Sequence, residues 1–259
     1  MVVPATGSAL ALARFPLLAG VPAEIVSRFA GHLRWLDAGA EQVILDYEDK
    51  TTDVLLVEQG SVRVLMRTAD GAHTQILGDF GPGALIGEMS AIDDAPRSAR
   101  VEALVRTRLG IMPAAAFIDL TLSSRDVALR VMRLLTARIR GQNRRLLEHT
   151  ALPIRFRLAA EVLRIGRPRL DGTRALSPPP TQEELAARVG ARRETVSREL
   201  AAFSRAGLMH RTRAALVVDD PDALRAMIDA RLDQSATAQD RLGAGGWQTA
   251  RVGAGTKKS

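Results

Sequence analysis

The stretch Gly87-Glu88-Met89-Ser90-Ala91-Ile92-Asp93-Asp94-Ala95-Pro96-Arg97-Ser98-Ala99-Arg100-Val101 sets a carboxylate, a guanidinium and a hydroxyl around one short loop, in a region that is otherwise apolar and rich in strand formers. Carboxylate oxygens accept hydrogen bonds from sugar hydroxyls, and the arginine fork pairs with phosphate oxygens in a directional, charge-assisted way. A glycine lets the backbone come close to a ligand. The set suits a sugar phosphate. A plainer reading also exists, in which Glu88 and Arg97 form a salt bridge across a hairpin and Gly87 is its turn residue. The joint pattern, with Pro96 before Arg97-Ser98-Ala99 and Arg97 nine residues after Glu88, is far more specific than any single pair and favours the pocket.

Outward from this stretch, residues 33–112 read as short strands separated by turns. Val54-Leu55-Leu56-Val57 precedes the turn Gln59-Gly60-Ser61, Val62 to Met66 follows, Ala69-Asp70-Gly71-Ala72 is a hairpin signal, and Thr74 to Leu77 is a further strand. Phe80-Gly81-Pro82-Gly83 is another turn, and Val101 to Met112 supplies two more strand segments. Strands of this length and spacing predict an antiparallel sandwich or barrel. Short helices flank it at Pro22 to Ala30 and Pro113 to Leu120, the second with proline at its start.

A long helix is expected from about Ser124 to Glu148. Leu129, Met132, Thr136, Ile139, Asn143, Leu146 and Thr150 recur at spacings of three and four, a heptad seam with polar members, flanked by Arg130, Arg133, Arg138, Arg140, Arg144 and Arg145. A two-stranded coiled coil, and so a homodimer, fits this better than a helix packed within its own subunit. Leu152-Pro153 ends the helix as a hinge. Ile154 to Gly166 forms another helix with Ile154, Leu158, Val162 and Ile165 on one face, and Arg167 to Pro180 a loop or short hairpin. Residues 234–259, rich in Gln, Ala, Gly, Thr and Lys around Trp247, read as a disordered tail.

Thr181-Gln182-Glu183-Glu184 is a capping box opening a short helix to Val189, with Leu185, Ala186 and Val189 facing a core. Gly190 supplies a turn, a second helix runs from about Arg192 to Ser204 with Val196, Leu200 and Phe203 inward, and Gly207 closes it. Two helices joined at a glycine form a helix-turn-helix. Leu208 to His210 and Ala214 to Val218, turning at Arg211-Thr212-Arg213, form a basic wing. Arg193, Glu194 and Arg198 lie in the part of the second helix that enters the major groove in such motifs, where arginine pairs with guanine and glutamate accepts from cytosine. Arg192 and Ser197 are placed for phosphates. An exposed helix carrying a Glu194–Arg198 ion pair is the bland alternative, worth only about 0.3–0.5 kcal/mol.

Composition narrows the classes. The 259 residues are 46% hydrophobic and 25% charged, as in ordinary globular proteins. Without cysteine there is no disulfide, thiolate metal site or cysteine nucleophile, and His32, His73, His149 and His210 show no metal-ligand spacing. No nucleophile–base set or P-loop points to an enzyme, and neither a prosthetic group nor a metal is expected. Arg14 and Pro16 interrupt the apolar stretch Ala9 to Val21, and no run reaches membrane-spanning length, so the expected location is the cytoplasm, with no membrane partner. The net charge of +7 is concentrated: residues 151–259 carry 19 Lys/Arg against 12 Asp/Glu, while residues 1–150 carry 17 of each. A basic second part points to a polyanion, most simply double-stranded DNA.

The cassette at 87–101 and the segment Arg192-Arg193-Glu194-Thr195-Val196-Ser197-Arg198 together resemble the cyclic-AMP receptor protein / fumarate-nitrate regulator (Crp/Fnr) family of bacterial transcription regulators, over about residues 12–225. The resemblance implies an α+β chain: an antiparallel β-roll of the cyclic-nucleotide-binding jelly-roll type at 12–120, a dimerisation helix at 121–150 and a winged helix-turn-helix at 151–233. It implies that Glu88 holds a ribose 2′-hydroxyl, that Arg97 holds the cyclic phosphate with help from the Ser98 hydroxyl and backbone amides, that Gly87 lets the backbone approach the nucleotide, and that Gln142 and Asn143 face the base. It also implies half-sites similar to TGTGA read by Arg193, Glu194 and Arg198, and RNA polymerase as a partner. Asn143 equally suits a polar seam residue that fixes register. Family members that respond to cyclic AMP often carry hydroxyl residues where this chain has Gln142 and Asn143, so cyclic AMP and cyclic GMP both stand as effectors. Tyr47-Glu48-Asp49-Lys50 departs from the family, which commonly has a glycine turn there. Two rivals stay open: a DNA reader of this fold that needs no cyclic nucleotide or senses another ligand, and a cyclic-nucleotide-binding protein that acts on a protein partner.

Overall fold

A computed structural model describes residues 5–68 and 73–243, with side chains over 9–68 and 73–234. Two compact units divide between Arg145 and Leu146. The first opens with α1 (Ala5–Ala13), a 3-10 turn at Pro16–Leu18 and α2 (Ala23–Ala30). Strands β1 (Arg34–Ala38), β2 (Val43–Leu45), β3 (Val54–Gln59), β4 (Val62–Arg67), β5 (Thr74–Phe80) and β6 (Leu85–Ile86) follow, then a short helix α3 (Glu88–Asp93), β7 (Arg100–Ala103), β8 (Thr107–Met112) and α4 (Ala114–Leu122). The strands pair antiparallel in two sheets of order β1-β8-β3-β6 and β2-β7-β4-β5.

Strand β3 shows how the roll is held. Its side chains alternate between faces. Leu55 and Val57 point between the sheets with Leu45, Val62, Ile86, Val101 and Leu109, while Val54 and Leu56 point to a second cluster with Phe29, Phe117, Leu120, Val127 and Val131. Both faces are covered, so the strand reads as a continuous apolar run instead of alternating with polar residues. The second cluster lies under α2, α4 and the start of α5 (Arg125–Ala151), which bury its Val127 and Val131 side. The hairpin signal at Ala69–Ala72 lies outside the described residues; the flanking β4 and β5 pair along their whole lengths.

The second unit takes the last turns of α5, then α6 (Ile154–Ile165), the hairpin of β9 (Arg167–Pro168) and β10 (Arg174–Leu176), α7 (Gln182–Val189), α8 (Arg193–Arg205), β11 (Met209–Arg211), β12 (Leu216–Val218) and α9 (Pro221–Gly243). Its sheet has the order β11-β12-β10-β9. Leu158, Val162, Leu185, Val189, Val196 and Phe203 share one core, as their helical spacing predicts.

Two differences from the sequence reading appear. The cassette holds α3, a helix of six residues, where a loop is expected; so short a helix shows no usable periodicity. Residues 234–243 continue α9 instead of belonging to a disordered tail. Leu224 and Ile228 anchor that helix in the core, and the residues beyond are acceptable helix formers despite their polarity. Trp247 and the rest of that tail lie outside the described residues.

Candidate functional site

Two sets of residues stand out, one in each unit. In the first, β6 runs into Gly87, whose φ of +84° is the left-handed conformation that turns the chain into α3. A Cβ there would lie 2.6 Å from Arg97 Nη1 and 3.1 Å from the Asp53 carbonyl oxygen, so the turn demands glycine twice over. Glu88, the next residue, is 1% exposed. Its Oε1 pairs with the Arg138 guanidinium from α5, while Oε2 is buried with no protein partner. Arg138 also donates to the Leu85 carbonyl at 2.5 Å and lies 5.5 Å from the centre of the Phe80 ring.

Arg97 is 3% exposed. Its Nη2 donates to the Asp53 carbonyl at 2.6 Å, Nη1 to the Gly87 carbonyl at 3.0 Å and Nε to Thr51 Oγ1 at 3.2 Å. These bonds engage three of the five N–H groups of the fork and leave one on each terminal nitrogen. Burial lowers the Arg97 pKa below the ordinary arginine value, partly opposed by the nearby Asp49, Asp53 and Glu88 charges. The backbone is pinned as well: the Arg97 N–H donates to Asp49 O at 2.8 Å, and the Glu48 N–H donates to Arg97 O at 2.9 Å. Glu48 has a φ of +62°, so the turn for which the family commonly uses glycine keeps a left-handed residue here and strains a glutamate to make it.

Gly87, Glu88 and Arg97 are therefore brought together, but the hairpin salt bridge between Glu88 and Arg97 is not formed; each has other partners. Ser98 is exposed, its Oγ 4.0 Å from Met89 Sδ. Gln142 and Asn143 are exposed on α5, four and five residues beyond Arg138. Arg138 is the member of the site that sequence reasoning missed. Among six arginines flanking a heptad seam it looks like a solvated coiled-coil charge, and only its place one turn before Gln142 hinted otherwise.

In the second unit both arms of the capping box form: Thr181 Oγ1 accepts from the Glu184 N–H at 3.1 Å, and Glu184 Oε2 accepts from the Thr181 N–H at 2.8 Å. Gly190, at φ +61°, closes α7, and Arg192 takes the extended N-cap conformation before α8. Arg192, Arg193, Glu194 and Arg198 are exposed and Ser197 is half-buried, while Val196 and Phe203 are fully buried. Arg198 rests on Thr195 Oγ1 at 3.4 Å and not on Glu194, so the bland ion pair is not made. In the wing, Arg211 is the last residue of β11, and Thr212 Oγ1 ties the turn through the Ala214 and Ala215 N–H groups.

The comparisons meet these two sites separately. A family model described as the cyclic nucleotide-binding domain matches residues 36–124, and one described as the Crp-like helix-turn-helix domain matches residues 156–227. The chain belongs to the Crp/Fnr family. This Crp/Fnr protein is 24% identical over 216 residues to a CRP-like cAMP-activated global transcriptional regulator of Mycobacterium tuberculosis, covering 82% of this chain and 96% of that one. The structure of FixK2 from Bradyrhizobium japonicum matches with a TM-score of 0.64 at 20% identity, over 75% of this chain and 96% of that one, and shares the fold. A lysophospholipase of Cryptococcus neoformans is 32% identical over 108 residues, but these are 42% of this chain and 6% of the lysophospholipase. That match falls on the nucleotide-binding region alone. The Crp/Fnr chain thus carries a cyclic nucleotide-binding domain and a Crp-like helix-turn-helix domain, in a family of transcription regulators and not of enzymes. Among the described residues no helix is long and apolar enough to cross a membrane.

Proposed function

We propose that this chain is a homodimeric regulator whose binding to a palindromic TGTGA-like site is controlled by a cyclic nucleotide held at Gly87, Glu88, Arg97 and Ser98. The observation that carries the reading is Glu88: a fully buried carboxylate with one oxygen held by Arg138 and the other left without a protein donor. A buried carboxylate oxygen without a partner is costly, and a sugar hydroxyl is the donor that satisfies it. The two remaining N–H groups of Arg97 are suited to a phosphate, with the Ser98 hydroxyl beside them. Gln142 and Asn143, on the helix that supplies Arg138, are assigned to the base edge; their amides both donate and accept and so match cyclic AMP or cyclic GMP. Arg193 and Arg198 are assigned to guanines, Glu194 to a cytosine amino group, and Arg192 and Ser197 to phosphates. RNA polymerase, in the cytoplasm, completes the scheme as the partner of the DNA-bound dimer. Nucleotide controls DNA binding only if it binds the DNA-competent state more tightly, with Leu152-Pro153 as the hinge between the two.

A second reading, a DNA reader that needs no cyclic nucleotide, draws on one observation. Arg97 already has three acceptors and one oxygen of Glu88 already has Arg138, so most of the cassette's charge is held without a ligand. Calorimetric titration with cyclic AMP and cyclic GMP separates the two. Saturable binding that weakens by about 1.5–3 kcal/mol in Glu88→Gln, the worth of a hydrogen bond to a charged group, is expected for the sensor. No heat with either nucleotide supports the effector-independent reader.

A further inference from the structure

Four charged side chains outside the cassette and away from the exposed face of α8 form a line through the second unit. Glu148 lies near the end of α5, Glu161 and Arg164 on α6, and Arg188 at the end of α7. Glu148, Glu161 and Arg188 are 9%, 2% and 5% exposed. The Arg164 guanidinium forks, Nη2 to Glu148 Oε2 and Nη1 to Glu161 Oε2, and the other Glu161 oxygen faces Arg188 Nη1 at 3.5 Å. A second link runs beside the first: Arg157 of α6 lies 3.2 Å from His149 Nδ1 on α5 and donates at 3.0 Å to the carbonyl of Val189, the residue before the Gly190 turn.

Such a network is a poor source of stability. Desolvation of buried charges offsets most of their attraction, and apolar replacements of similar volume are often neutral or stabilising. Burial disfavours the Arg164 charge, but Glu161 and Glu148 outweigh it and raise its pKa. What an arginine fork supplies is direction, because both carboxylates must stay in the plane and reach of one rigid group. The surrounding contacts, Leu158, Leu185 and Val189 among them, are apolar, and apolar cores accept repacking without losing the fold. The three helices joined by the ionic line include the one that sets where α8 begins.

We propose that Arg164 is a positioning residue: through Glu148 on one side and the Glu161–Arg188 pair on the other, it locks α7 to the last turns of α5 and so fixes how α8 is presented to DNA. It contacts neither DNA nor nucleotide. The functional half rests on the DNA-reading role proposed for α8; the structural half does not.

The chain has no cysteine, so cysteines introduced at the exposed Leu147 and Glu183 give one labelling pair within the second unit of the full-length protein. Pulsed electron spin resonance, with excess unlabelled chain to remove distances across a dimer, reads the spread of the α5–α7 distance. A single narrow distribution is expected with Arg164 present. Arg164→Met, which leaves the two buried carboxylates without their shared counter-charge, lowers Tm and broadens the distribution at temperatures where its circular dichroism spectrum is still that of the parent, and Arg164→Lys, which keeps the charge but not the fork, restores only part of the narrowing. Glu148→Gln, a milder change that weakens only the α5 arm, broadens it too. A distribution as narrow in Arg164→Met and Glu148→Gln as in the parent overturns the lock. On DNA, Arg164→Met keeps its affinity for a single half-site but loses the preference for one half-site spacing; a preserved preference also overturns the proposal. Failure of the parent protein to bind any half-site rejects the DNA role of α8, and the label distances then decide the lock alone.

Discussion

Arg97 and Gly87 are fitted to each other so closely that neither is free to vary. The fork of Arg97 occupies the space a Gly87 Cβ would need, and Gly87 sits at a φ that side chains avoid. Gly87→Ala is expected to cost about 1–3 kcal/mol of stability, as strained backbone positions do, and to weaken nucleotide binding by displacing the fork. Thermal melts and calorimetry check the two effects. Glu48 gives the opposite case, being exposed, left-handed and strained. Glu48→Gly is expected to raise stability by up to about 1 kcal/mol, because relief of the left-handed conformation exceeds the added freedom of glycine in the unfolded chain. A lower Tm contradicts that assignment. At this scale the sequence was legible where a residue type serves one purpose, as with Gly87 and the Thr181–Glu184 capping box. It was not legible for Arg138 or for the Asp53 carbonyl. A surface charge and a buried partner use the same residue, and backbone acceptors leave no trace in residue identity.

Among the elements, α5 shows most clearly what a periodic pattern can reveal. Val127 and Val131 are buried, whereas Met132, Ile139 and Leu146 on the heptad seam are 53%, 61% and 64% exposed in the single chain. A row of large apolar side chains left outside a well-formed core fits the second copy proposed above. Ile139→Lys is expected to shift sedimentation from dimer to monomer, with the β-roll still folded by circular dichroism. A dimer that persists unchanged would place the interface elsewhere. The long helix, the paired strands and the helix-turn-helix were readable because each repeats its pattern over several turns or residues. α3 was not, at six residues, and the end of α9 was not, because residues 234–243 are as polar as a disordered tail while remaining good enough helix formers to extend an anchored helix.

At the scale of the whole molecule the charge separation matters most. The basic excess lies entirely in residues 151–259, so the first 150 residues contribute no net charge toward a polyanion. Binding driven by phosphate contacts weakens steeply as salt rises, whereas base readout by Arg193, Glu194 and Arg198 survives as a difference between sequences at any one salt. Control of that difference by the cassette is the central claim. The measurement that tests it most directly is fluorescence anisotropy of a labelled TGTGA-N6-TCACA duplex and a scrambled duplex, titrated with protein at fixed salt without nucleotide, with cyclic AMP and with cyclic GMP. Tight, sequence-specific binding that appears only with one of the two nucleotides is the expected result. Specific binding of equal strength in all three titrations would contradict it.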